Sequence, residues 1–391
     1  MTIIKNPEDY VLKIYDYIIV GAGLAGSTIA RLLCDEGYKV KIVDKRDVVG
    51  GNCYTYKQDN IMIHKYGPHI FHTSNPEVWE FVNRFAEFNN FINQPIAVTE
   101  NNELYNMPFN MNTFSKMFNT RWPEEVKDII NLEIKEYCKS HPDINNLEDQ
   151  AINMVGTTIY NKLIKGYTEK QWNAKCTDLD PSIIKRLPLR FTYNNNYFDD
   201  KYQGIPVEGY TAMIENMIED IDIELNCDFK ENKDRLLSEA RNLIYTGSID
   251  EFFDYKYGKL GYRSLKFSLQ RMNTSNYQGN AVVNYTGTYP DYTRTVEHKH
   301  FNDDKSDITY VTFEYPETSG DPMYPLLDED NIKLYQKYLD LQKSSIKPAN
   351  ATIGNIYFAG RLGKYKYFDM DDVIEDCIKL VDSIIFKRQM C

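Results

Sequence analysis

The sequence lacks the residue spacings that are typical of a metal site or a disulfide framework. Its 391 residues include seven cysteines without a CxxC pair and six histidines, none of them at ligand spacing. We therefore predict neither a zinc site nor a set of disulfides, and no metal of any kind. Scattered thiols of this sort fit the reducing cytoplasm, which is where we expect the protein to act.

Long apolar runs and an excess of positive charge are lacking too. No stretch approaches the roughly 18 consecutive apolar residues of a transmembrane helix. The first residues, Met1–Ile14, include Glu8, Asp9 and Lys13 and have no apolar centre, so we expect no signal peptide. The net charge of −12 argues against nucleic acid or an anionic membrane as the partner. An anionic small substrate would need a local cluster of basic side chains.

The first fifty residues have the pattern of a βαβ unit. The chain is long enough for two or three domains, and 42% of its residues are hydrophobic. Tyr15–Val20 is a short apolar run that predicts a buried strand, and Val40–Val43 predicts a second one. Between them, Ser27–Glu36 is predicted to be a helix that Gly37 ends.

A dinucleotide-binding fingerprint lies inside this unit. Gly21, Gly23 and Gly26 form a GxGxxG motif between the strand and the helix. The first glycine permits the tight turn, the second permits close approach of a pyrophosphate, and the third lets the helix pack on the strand. Asp44 ends the second strand, where a carboxylate can accept hydrogen bonds from ribose hydroxyls. This context predicts a genuine dinucleotide site.

Two further segments favour FAD over NAD. Gly51 and Asn52 follow another glycine shortly after Asp44, which allows backbone approach to a longer cofactor. Far along the chain, Gly360 and Arg361 open another helix after the apolar run Asn355–Ala359. A dinucleotide domain that is closed by a distant C-terminal segment is typical of large flavoproteins, an argument from fold analogy.

The remaining segments predict two insertions into this domain. Residues 112–172 have helical periodicity, Gly261–Phe313 alternates like an antiparallel sheet, and Asp371–Lys387 is predicted to be an amphipathic helix. We therefore predict an α/β fold in which an FAD-binding Rossmann-like domain is interrupted by a helical-bundle insertion and an antiparallel β-sheet domain. The expected boundaries are 1–90, 201–255 and 331–391 for the FAD-binding domain, 91–110, 186–200 and 256–330 for the sheet domain, and 111–185 for the helical domain with a mobile lid.

Several long, ordered motifs identify a family. They are HKYGPHIFHT (His64–Thr73), MPFNMNTF (Met107–Phe114), KGYTEKQW (Lys165–Trp172), IIKRLPLRFTYNNNYF (Ile183–Phe198), YQGIP (Tyr202–Pro206), YRSLKF (Tyr262–Phe267), YTRTVEHKHF (Tyr292–Phe301) and GRLGKYKYFDM (Gly360–Met370). With them the sequence resembles the bacterial-type, FAD-dependent UDP-galactopyranose mutases from about Tyr15 to its last helix.

This resemblance implies a reaction in which UDP-galactopyranose and UDP-galactofuranose are interconverted. N5 of reduced FAD attacks the anomeric carbon, UDP leaves, and a flavin–sugar iminium adduct permits ring opening and contraction. There is no net redox change, yet the flavin must be reduced. The implied partners are a UDP-sugar and an unknown flavin reductant, and a homodimer is one possible assembly.

The resemblance also implies the residues of the site. Arg186 and Arg294 match the arginines that meet the diphosphate, where negative charge grows as UDP leaves, and they are the predicted catalytic residues. The implied substrate-binding residues are Tyr167, Trp172, Arg186, Tyr197, Arg294, Tyr324 and Tyr367. The implied cofactor-binding residues are Gly21, Gly23, Gly26, Asp44, Gly51, Asn52, His69, His72, Arg361, Asp369 and Met370. The simpler alternatives are core packing for the aromatic residues, surface salt bridges for the arginines and structural roles for the histidines.

The sequence departs from the family pattern at a few positions. Met1–Ile14 is an extension, and Asp44 stands where relatives often have glutamate. Pro68 and Glu208 replace smaller residues of some relatives, and Lys364 lies in a segment that is acidic in others. These differences leave the exact sugar open.

Three alternatives to the main hypothesis follow. The first is a mutase of another nucleotide sugar, such as UDP-N-acetylgalactosamine or a dTDP-linked deoxysugar. The second is a flavin oxidase of the amine-oxidase type, and the third is a non-catalytic UDP-sugar-binding protein. We further expect the segment Ala174–Leu187, which contains Arg186, to be a mobile lid that excludes water.

Overall fold

The computed structural model describes residues 14–184, 189–345 and 354–389. In chain order the strands are β1 (Tyr15–Val20), β2 (Val40–Val43), β3 (Thr55–Gln58), β4 (Ile61–His64), β5 (Phe71–Thr73), β6 (Ile96–Val98), β7 (Leu104–Asn106), β8 (Tyr202–Gly204), β9 (Asp222–Glu224), β10 (Ala240–Tyr245), β11 (Tyr262–Met272), β12 (Val282–Tyr285), β13 (Arg294–Glu297), β14 (Thr309–Glu317), β15 (Tyr324–Pro325) and β16 (Ile356–Phe358). The α-helices are α1 (Leu24–Asp35), α2 (Pro76–Asn83), α3 (Met111–Phe118), α4 (Pro123–Cys138), α5 (Leu147–Ile159), α6 (Lys165–Trp172), α7 (Gly209–Met217), α8 (Phe229–Glu239), α9 (Ile249–Phe252), α10 (Glu329–Ser345), α11 (Gly360–Gly363) and α12 (Met370–Gln389).

A five-stranded parallel sheet forms the centre of the dinucleotide-binding domain. Its strand order is β16-β10-β1-β2-β9, and Ile19 of β1 lies opposite Ile42 of β2 and Ile244 of β10. These three side chains join the buried cluster that α1, α7 and α12 complete, whereas Ile18 and Leu243 join the cluster of α8 and α10 on the other face. Since both faces are covered, the strands are apolar at consecutive positions.

The structure confirms the predicted βαβ opening and its C-terminal completion. β1 and β2 have the predicted bounds, β16 falls within the predicted Asn355–Ala359, and α12 is three residues longer than Asp371–Lys387. The first helix begins at Leu24, three residues before the predicted start, because the turn itself ends at Gly23 and the rest of the motif is already helical.

A seven-stranded sheet, ordered β15-β11-β14-β13-β12-β6-β7, forms a second layer. The predicted antiparallel pairing holds for β11 with β14 and for β13 with both of its neighbours. The pairing of β12 with β6 is parallel, which differs from the prediction. The sequence pattern gives no strand direction, and β6 comes from a segment that precedes the whole helical insertion. Two short antiparallel pairs, β3–β4 and β5–β8, connect the layers.

The helical insertion contains α3 to α6 and has a buried core of its own. The predicted stripe of Ala151, Val155, Ile159 and Leu163 is buried there. These residues do not belong to one regular helix, however. The chain kinks within α5, and a wider π-helical turn, Tyr160–Ile164, leads from α5 into α6.

The kink in α5 has an identifiable cause. Gly156 has φ +80° and ψ 167°, outside the helical range. Glu133 of α4 accepts hydrogen bonds from the backbone N–H of Thr158, at 2.9 Å, and from its hydroxyl. The carboxylate thereby caps the second half of the helix, and a Cβ at position 156 would lie 2.6 Å from Glu133 Oε2. α6 therefore leaves the bundle in a direction that this cap fixes.

Among the described residues, no helix is long and apolar enough to span a bilayer. The exact domain boundaries stay a prediction.

Candidate cofactor and substrate site

A cavity lies where the central parallel strands end. Gly21 follows β1, Asp44 follows β2, Thr246 follows β10 and Gly360 follows β16, and all four residues line the cavity. Because the carboxyl ends of parallel strands share one edge of a sheet, these residues meet although the chain separates them widely.

One wall of this cavity is a glycine cradle formed by Gly21, Gly23, Gly26 and Gly51. A Cβ at Gly26 would lie 1.9 Å from the carbonyl oxygen of Gly21, and one at Gly21 would lie 2.0 Å from Thr246 Oγ1. A Cβ at Gly51 would lie 2.9 Å from the Cα of Gly23. No side chain caps the first turn of α1, so its N–H groups stay available to an anion.

Asp44 ties the end of β2 to the glycine cradle. Its carboxylate accepts hydrogen bonds from the backbone N–H of Ala22 at 2.7 Å and of Arg46 at 2.8 Å. Each carboxylate oxygen has a further lone pair, so Asp44 can still accept a hydrogen bond from a ribose hydroxyl. The predicted ribose contact stays a prediction, with a structural role now visible beside it.

The predicted cofactor residues converge on this cavity with one exception. Asn52, His69, Arg361, Asp369 and Met370 line it together with Asp44 and the glycine cradle. The exception is His72, whose ring stacks on Phe198 with centroids 3.7 Å apart and an interplanar angle of 15°. Its place in β5, which pairs with β8, directs it to the segment before β8 and not to the cavity.

His69 is held as a neutral imidazole. Its Nδ1 lies 3.0 Å from the carbonyl oxygen of Gly67, so Nδ1 carries the hydrogen and Nε2 is left as an acceptor. Burial lowers the pKa of His69 to about 4, and the nearby charges of Arg361 and Arg294 act in the same direction. His69 is therefore an acceptor, not an acid, near neutral pH.

Arg361 joins the cofactor cavity to a group of tyrosines. Its guanidinium carbon lies 5.2 Å from the ring centres of both Tyr324 and Tyr367, whose rings are stacked 5.9 Å apart. Nη1 donates to the carbonyl oxygen of Met323 at 3.2 Å, and Nη2 donates to that of Phe368. These carbonyl contacts fix the cation beside both rings.

Arg294 lies in the same neighbourhood but is already paired. Its Nε and Nη2 both contact Glu314 Oε2, at 2.7 and 2.6 Å. The side chain of Glu314 is only 2% exposed, and its other oxygen has no hydrogen-bond partner among the described residues. Burial raises the pKa of Glu314, and the carboxylate in turn raises the pKa of Arg294. The sequence analysis predicted Arg294 but missed Glu314. The only signal in the sequence for Glu314 is that a charged residue stands within the apolar strand β14.

The remaining predicted tyrosines complete what we call the tyrosine–arginine wall: Tyr167, Tyr197, Arg294, Tyr324 and Tyr367. Tyr167 interacts electrostatically with Arg294, Tyr197 and Tyr324. Tyr367 interacts with Arg361 as well as with Tyr197 and Tyr324. Burial raises the pKa of Tyr167 and of Tyr367, so their hydroxyls remain protonated donors.

Helix α6 reaches this wall through a close backbone contact. A Cβ at Gly166 would lie 2.6 Å from the carbonyl oxygen of Thr286, so only glycine allows this approach to the sheet. Trp172, at the end of α6, lies under Arg263, whose guanidinium carbon is 4.1 Å from the ring centre. Arg263 Nη2 also donates to the carbonyl oxygen of Trp172 at 3.3 Å. Sequence reasoning missed Arg263.

Two predictions lie wholly or partly outside the described residues. Arg186 falls within residues 185–188, and the same gap interrupts the predicted lid Ala174–Leu187. The lid and the role of Arg186 stay predictions.

Several cavity residues escaped the sequence analysis. Thr246, Gly247 and Ser248 line the cavity directly after β10, and Arg46 and Met323 line it as well. A Thr-Gly-Ser run that ends an apolar strand was the available signal for the first three. Within the described residues, no group of three or more His, Cys, Asp and Glu side chains could hold a metal ion.

Comparison with known proteins agrees with this geometry. Residues 162–367 match the family described as UDP-galactopyranose mutase, and residues 19–85 match the NAD(P)-binding Rossmann-like domain. A probable UDP-galactopyranose mutase of Klebsiella pneumoniae is 40% identical over 382 residues, which cover 94% of each chain. A dTDP-fucopyranose mutase of Escherichia coli is 35% identical over 380 residues, covering 94% of this chain and 98% of that protein.

The fold is also that of a solved structure. A reduced UDP-galactopyranose mutase superimposes with a TM-score of 0.72 at 14% identity, covering 95% of this chain and 94% of its own. At this identity the likeness shows the fold alone. Together with the family match and the relatives at 35–40% identity along nearly the whole chain, it leads to one conclusion: the chain belongs to the UDP-galactopyranose mutase family and is an isomerase of that type.

Proposed function

We propose that this enzyme interconverts UDP-galactopyranose and UDP-galactofuranose with FAD that must be reduced. The observation that carries the proposal is the convergence of the dinucleotide cavity and the tyrosine–arginine wall. Arg361 lines the cavity and lies over Tyr324 and Tyr367, and His69 of the cavity is within electrostatic reach of Arg294. A cofactor and an anionic nucleotide sugar could therefore meet at one place.

The residues of the cavity fit FAD. The glycine cradle is a space that any Cβ would fill, and it faces the uncapped N-terminus of α1, as a pyrophosphate requires. Asp44 would bind the ribose. The flavin end would lie near His69, Arg361 and Met370. When bound and reduced, FAD would supply a nucleophilic N5 atom for the anomeric carbon of the sugar.

The chain's own side chains would then bind and polarise the substrate. As the bond between the anomeric carbon and UDP breaks, negative charge grows on the diphosphate, and Arg294 and Arg186 would stabilise it. The hydroxyls of Tyr197, Tyr324 and Tyr367 would donate to phosphate oxygens, and Tyr167 with Trp172 would form the wall for uracil and sugar. A neutral His69 can accept a hydrogen bond but cannot add a positive charge beside the flavin.

The choice of UDP-galactose over other nucleotide sugars rests on the family and on the relatives. The Klebsiella pneumoniae relative is a probable UDP-galactopyranose mutase, whereas the Escherichia coli relative acts as a dTDP-fucopyranose mutase. The first has the higher identity and agrees with the family match. A dTDP-deoxysugar therefore remains the second candidate.

The test is an anaerobic turnover experiment. The purified protein, with its flavin released by acid and identified as FAD, is incubated with UDP-galactopyranose with and without dithionite, and the products are separated by chromatography. We expect UDP-galactofuranose only with reduced flavin and no stoichiometric consumption of reductant. Parallel reactions with a dTDP-deoxysugar and UDP-N-acetylgalactosamine rank the substrates.

Each rival makes a different prediction. In the same reaction repeated in air, an amine-oxidase-type enzyme would consume one oxygen per turnover. A non-catalytic binding protein would bind UDP-galactose without converting it. A protein that takes up no FAD, or converts only the dTDP-linked sugar, would contradict the proposal.

A further inference from the structure

The segment that follows residues 185–188 carries Tyr197 and is tightly fastened. Arg190 donates from Nη1 to the carbonyl oxygen of Asn196, and from Nη2 to that of Tyr197 at 2.9 Å. The backbone N–H of Tyr197 donates to the carbonyl oxygen of Asn93 at 2.8 Å. Tyr197 as a whole residue is 39% exposed, while both its backbone N–H and its carbonyl oxygen are hydrogen-bonded, so its backbone is fixed more firmly than its phenol group.

His72 holds the next residues of this segment from the side of the dinucleotide domain. In addition to the ring stack on Phe198, His72 Nδ1 lies 2.8 Å from Asp200 Oδ2, and Ser74 donates to Asp200 Oδ1 at 2.8 Å. The side chain of His72 is only 13% exposed. Both carboxylate oxygens of Asp200 therefore already have a hydrogen-bond partner, and one face of the Phe198 ring is covered by His72.

These contacts reach Tyr197 through one ring. Phe198 meets Tyr197 edge to face, with centroids 5.1 Å apart and an interplanar angle of 88°. Phe198 also packs against the main hydrophobic core. His72 thus fixes one side of Phe198, and Phe198 limits where the ring of Tyr197 can lie.

We propose that His72 is a positioning residue that acts through Phe198 and Asp200 to hold Tyr197 where it meets the substrate diphosphate. This inference rests on the proposed function, and it replaces the expected flavin contact of His72. Binding then costs less ordering of the Tyr197 side chain, because the ring is confined before the ligand arrives. His72 would influence substrate affinity without touching substrate or cofactor.

The test measures UDP affinity by calorimetry on the oxidised holoenzyme, so that no reduction chemistry enters. His72→Ala should retain full FAD and weaken UDP binding by about tenfold, which is the loss of one moderate hydrogen-bonded contact. His72→Phe keeps a stacking ring without the donor, and His72→Asn keeps a donor without the ring. Each should weaken UDP binding less than His72→Ala does. If His72→Ala folds poorly, the UDP affinity of these two variants is compared with that of the wild type instead, and both should bind UDP more weakly than the wild type.

A double-mutant cycle shows whether the effect passes through Tyr197. In a Tyr197→Phe background the hydroxyl is gone, so His72→Ala should weaken UDP binding clearly less than in the wild type. The matched control is His141→Ala, because His141 stacks on Tyr137 with centroids 4.2 Å apart in the helical insertion. That variant should bind UDP as the wild type does.

The outcomes separate this inference from the proposed function. Equal UDP affinity of His72→Ala and wild type, additive effects in the cycle, or loss of FAD with normal UDP binding would each overturn the positioning role. A wild type that binds UDP but converts no sugar contradicts the proposed reaction alone. A wild type that binds no UDP overturns both, since Tyr197 would then have no diphosphate to meet.

Discussion

In the glycine cradle the space for a ligand exists because side chains are missing, whereas the tyrosine–arginine wall is made of large side chains that hold one another. The cradle is formed from backbone at the ends of parallel strands, and its close contacts are fixed by sterics. The wall is formed from α6, the two strands β13 and β15, and loops on either side, and its contacts are electrostatic and aromatic.

This difference predicts which kind of substitution should harm the glycine cradle and which should harm the tyrosine–arginine wall. A single added carbon should damage the cradle, since a backbone atom has nowhere to move. In the wall, the removal of charge should matter more than a change of volume, because its residues are partly exposed and Arg294 has its own counter-ion.

The largest effect is expected from Gly26→Ala, which tests the steric half of the comparison. The added Cβ would lie 1.9 Å from the carbonyl oxygen of Gly21, so the start of α1 must shift. We expect a loss of stability of about 3 kcal/mol and a protein purified without most of its flavin. The measurement is the ratio of flavin to protein absorbance, with urea unfolding.

The control for this variant is Gly37→Ala. Gly37 has φ +79° but nothing within 4 Å of an added Cβ, so the change introduces strain without a clash. It should cost about 1 kcal/mol of stability and leave the flavin content normal. Full flavin occupancy in Gly26→Ala would show that the cradle is more adaptable than its geometry indicates.

Arg294→Ala tests the electrostatic half. We expect turnover to fall about a hundredfold, or about 3 kcal/mol, at unchanged FAD content, because the cation is lost where charge develops. Removal of Arg294 also leaves Glu314 buried without its ion pair, which should destabilise the fold by about 3 kcal/mol. Adding Glu314→Gln should restore stability but not turnover, and this separates the two effects.

Arg271→Ala is the matched control for that experiment. Arg271 is half exposed and lies 3.9 Å from Asp59, so its loss should cost under about 1 kcal/mol. Anaerobic rates and urea midpoints check both arginines. Near-normal turnover of Arg294→Ala at full FAD occupancy would remove the main cation from the proposed site.

Lys170 tests how the wall is fastened to the sheet, and it does so through pH. Its ammonium donates to the carbonyl oxygens of Tyr285 and Pro290 at 3.0 and 2.8 Å, and burial lowers its pKa from 10.5 to about 8. Between these two values the unfolded chain keeps a proton that the folded protein has released. Stability should therefore gain from this group as the pH rises from 8 to 10.5, and the gain is absent below 8.

The comparison with Lys170→Met isolates this group, since the tyrosines affect both proteins alike. The difference in unfolding free energy, wild type minus variant, should increase by on the order of 2 kcal/mol over that range, after allowance for partial exposure. Urea unfolding at several pH values measures it. A constant difference would mean that Lys170 titrates normally.

The smallest effect is expected from Glu133→Gln, which loosens the kink that directs α6. The amide has one acceptor oxygen for Thr158 in place of two, a loss of about 1 kcal/mol. We expect KM to rise a few-fold with kcat and FAD content unchanged, since Tyr167 and Trp172 would shift. Glu136→Gln on the same helix, at an exposed ion pair with Lys139, should change nothing. A fall in kcat at constant KM would contradict this reading.

The two halves also differ in how far the sequence could predict them. Gly21, Gly23, Gly26 and Asp44 lie within one short βαβ unit, so local pattern was enough to place them on one cavity. Glu314 and the partners of His72 could not be found in this way. Alternation along β14 or β5 says which face a side chain takes but not which distant segment will lie opposite it.

Local pattern failed for a second reason in the helical insertion. The stripe from Ala151 to Leu163 predicts burial correctly, and burial is what periodicity reports. Periodicity cannot show that Gly156 breaks the helix, because a glycine inside a helical pattern ordinarily lowers the stability of the helix only modestly. The decisive group is the carboxylate of Glu133 on another helix.

The strand order of the parallel sheet also has a consequence for synthesis on the ribosome. β10 lies between β1 and β16, and Cys377 of α12 contacts the carbonyl oxygen of Ala25 in α1. While the chain is being made, β10 keeps an open edge until residue 358 has emerged, and the side of α1 that packs on α12 stays uncovered until α12 follows. An unpaired edge and a bare apolar face favour association with other chains. A nascent or truncated chain that stops before β16 should therefore depend on chaperones, although all four glycines of the cradle have already been made.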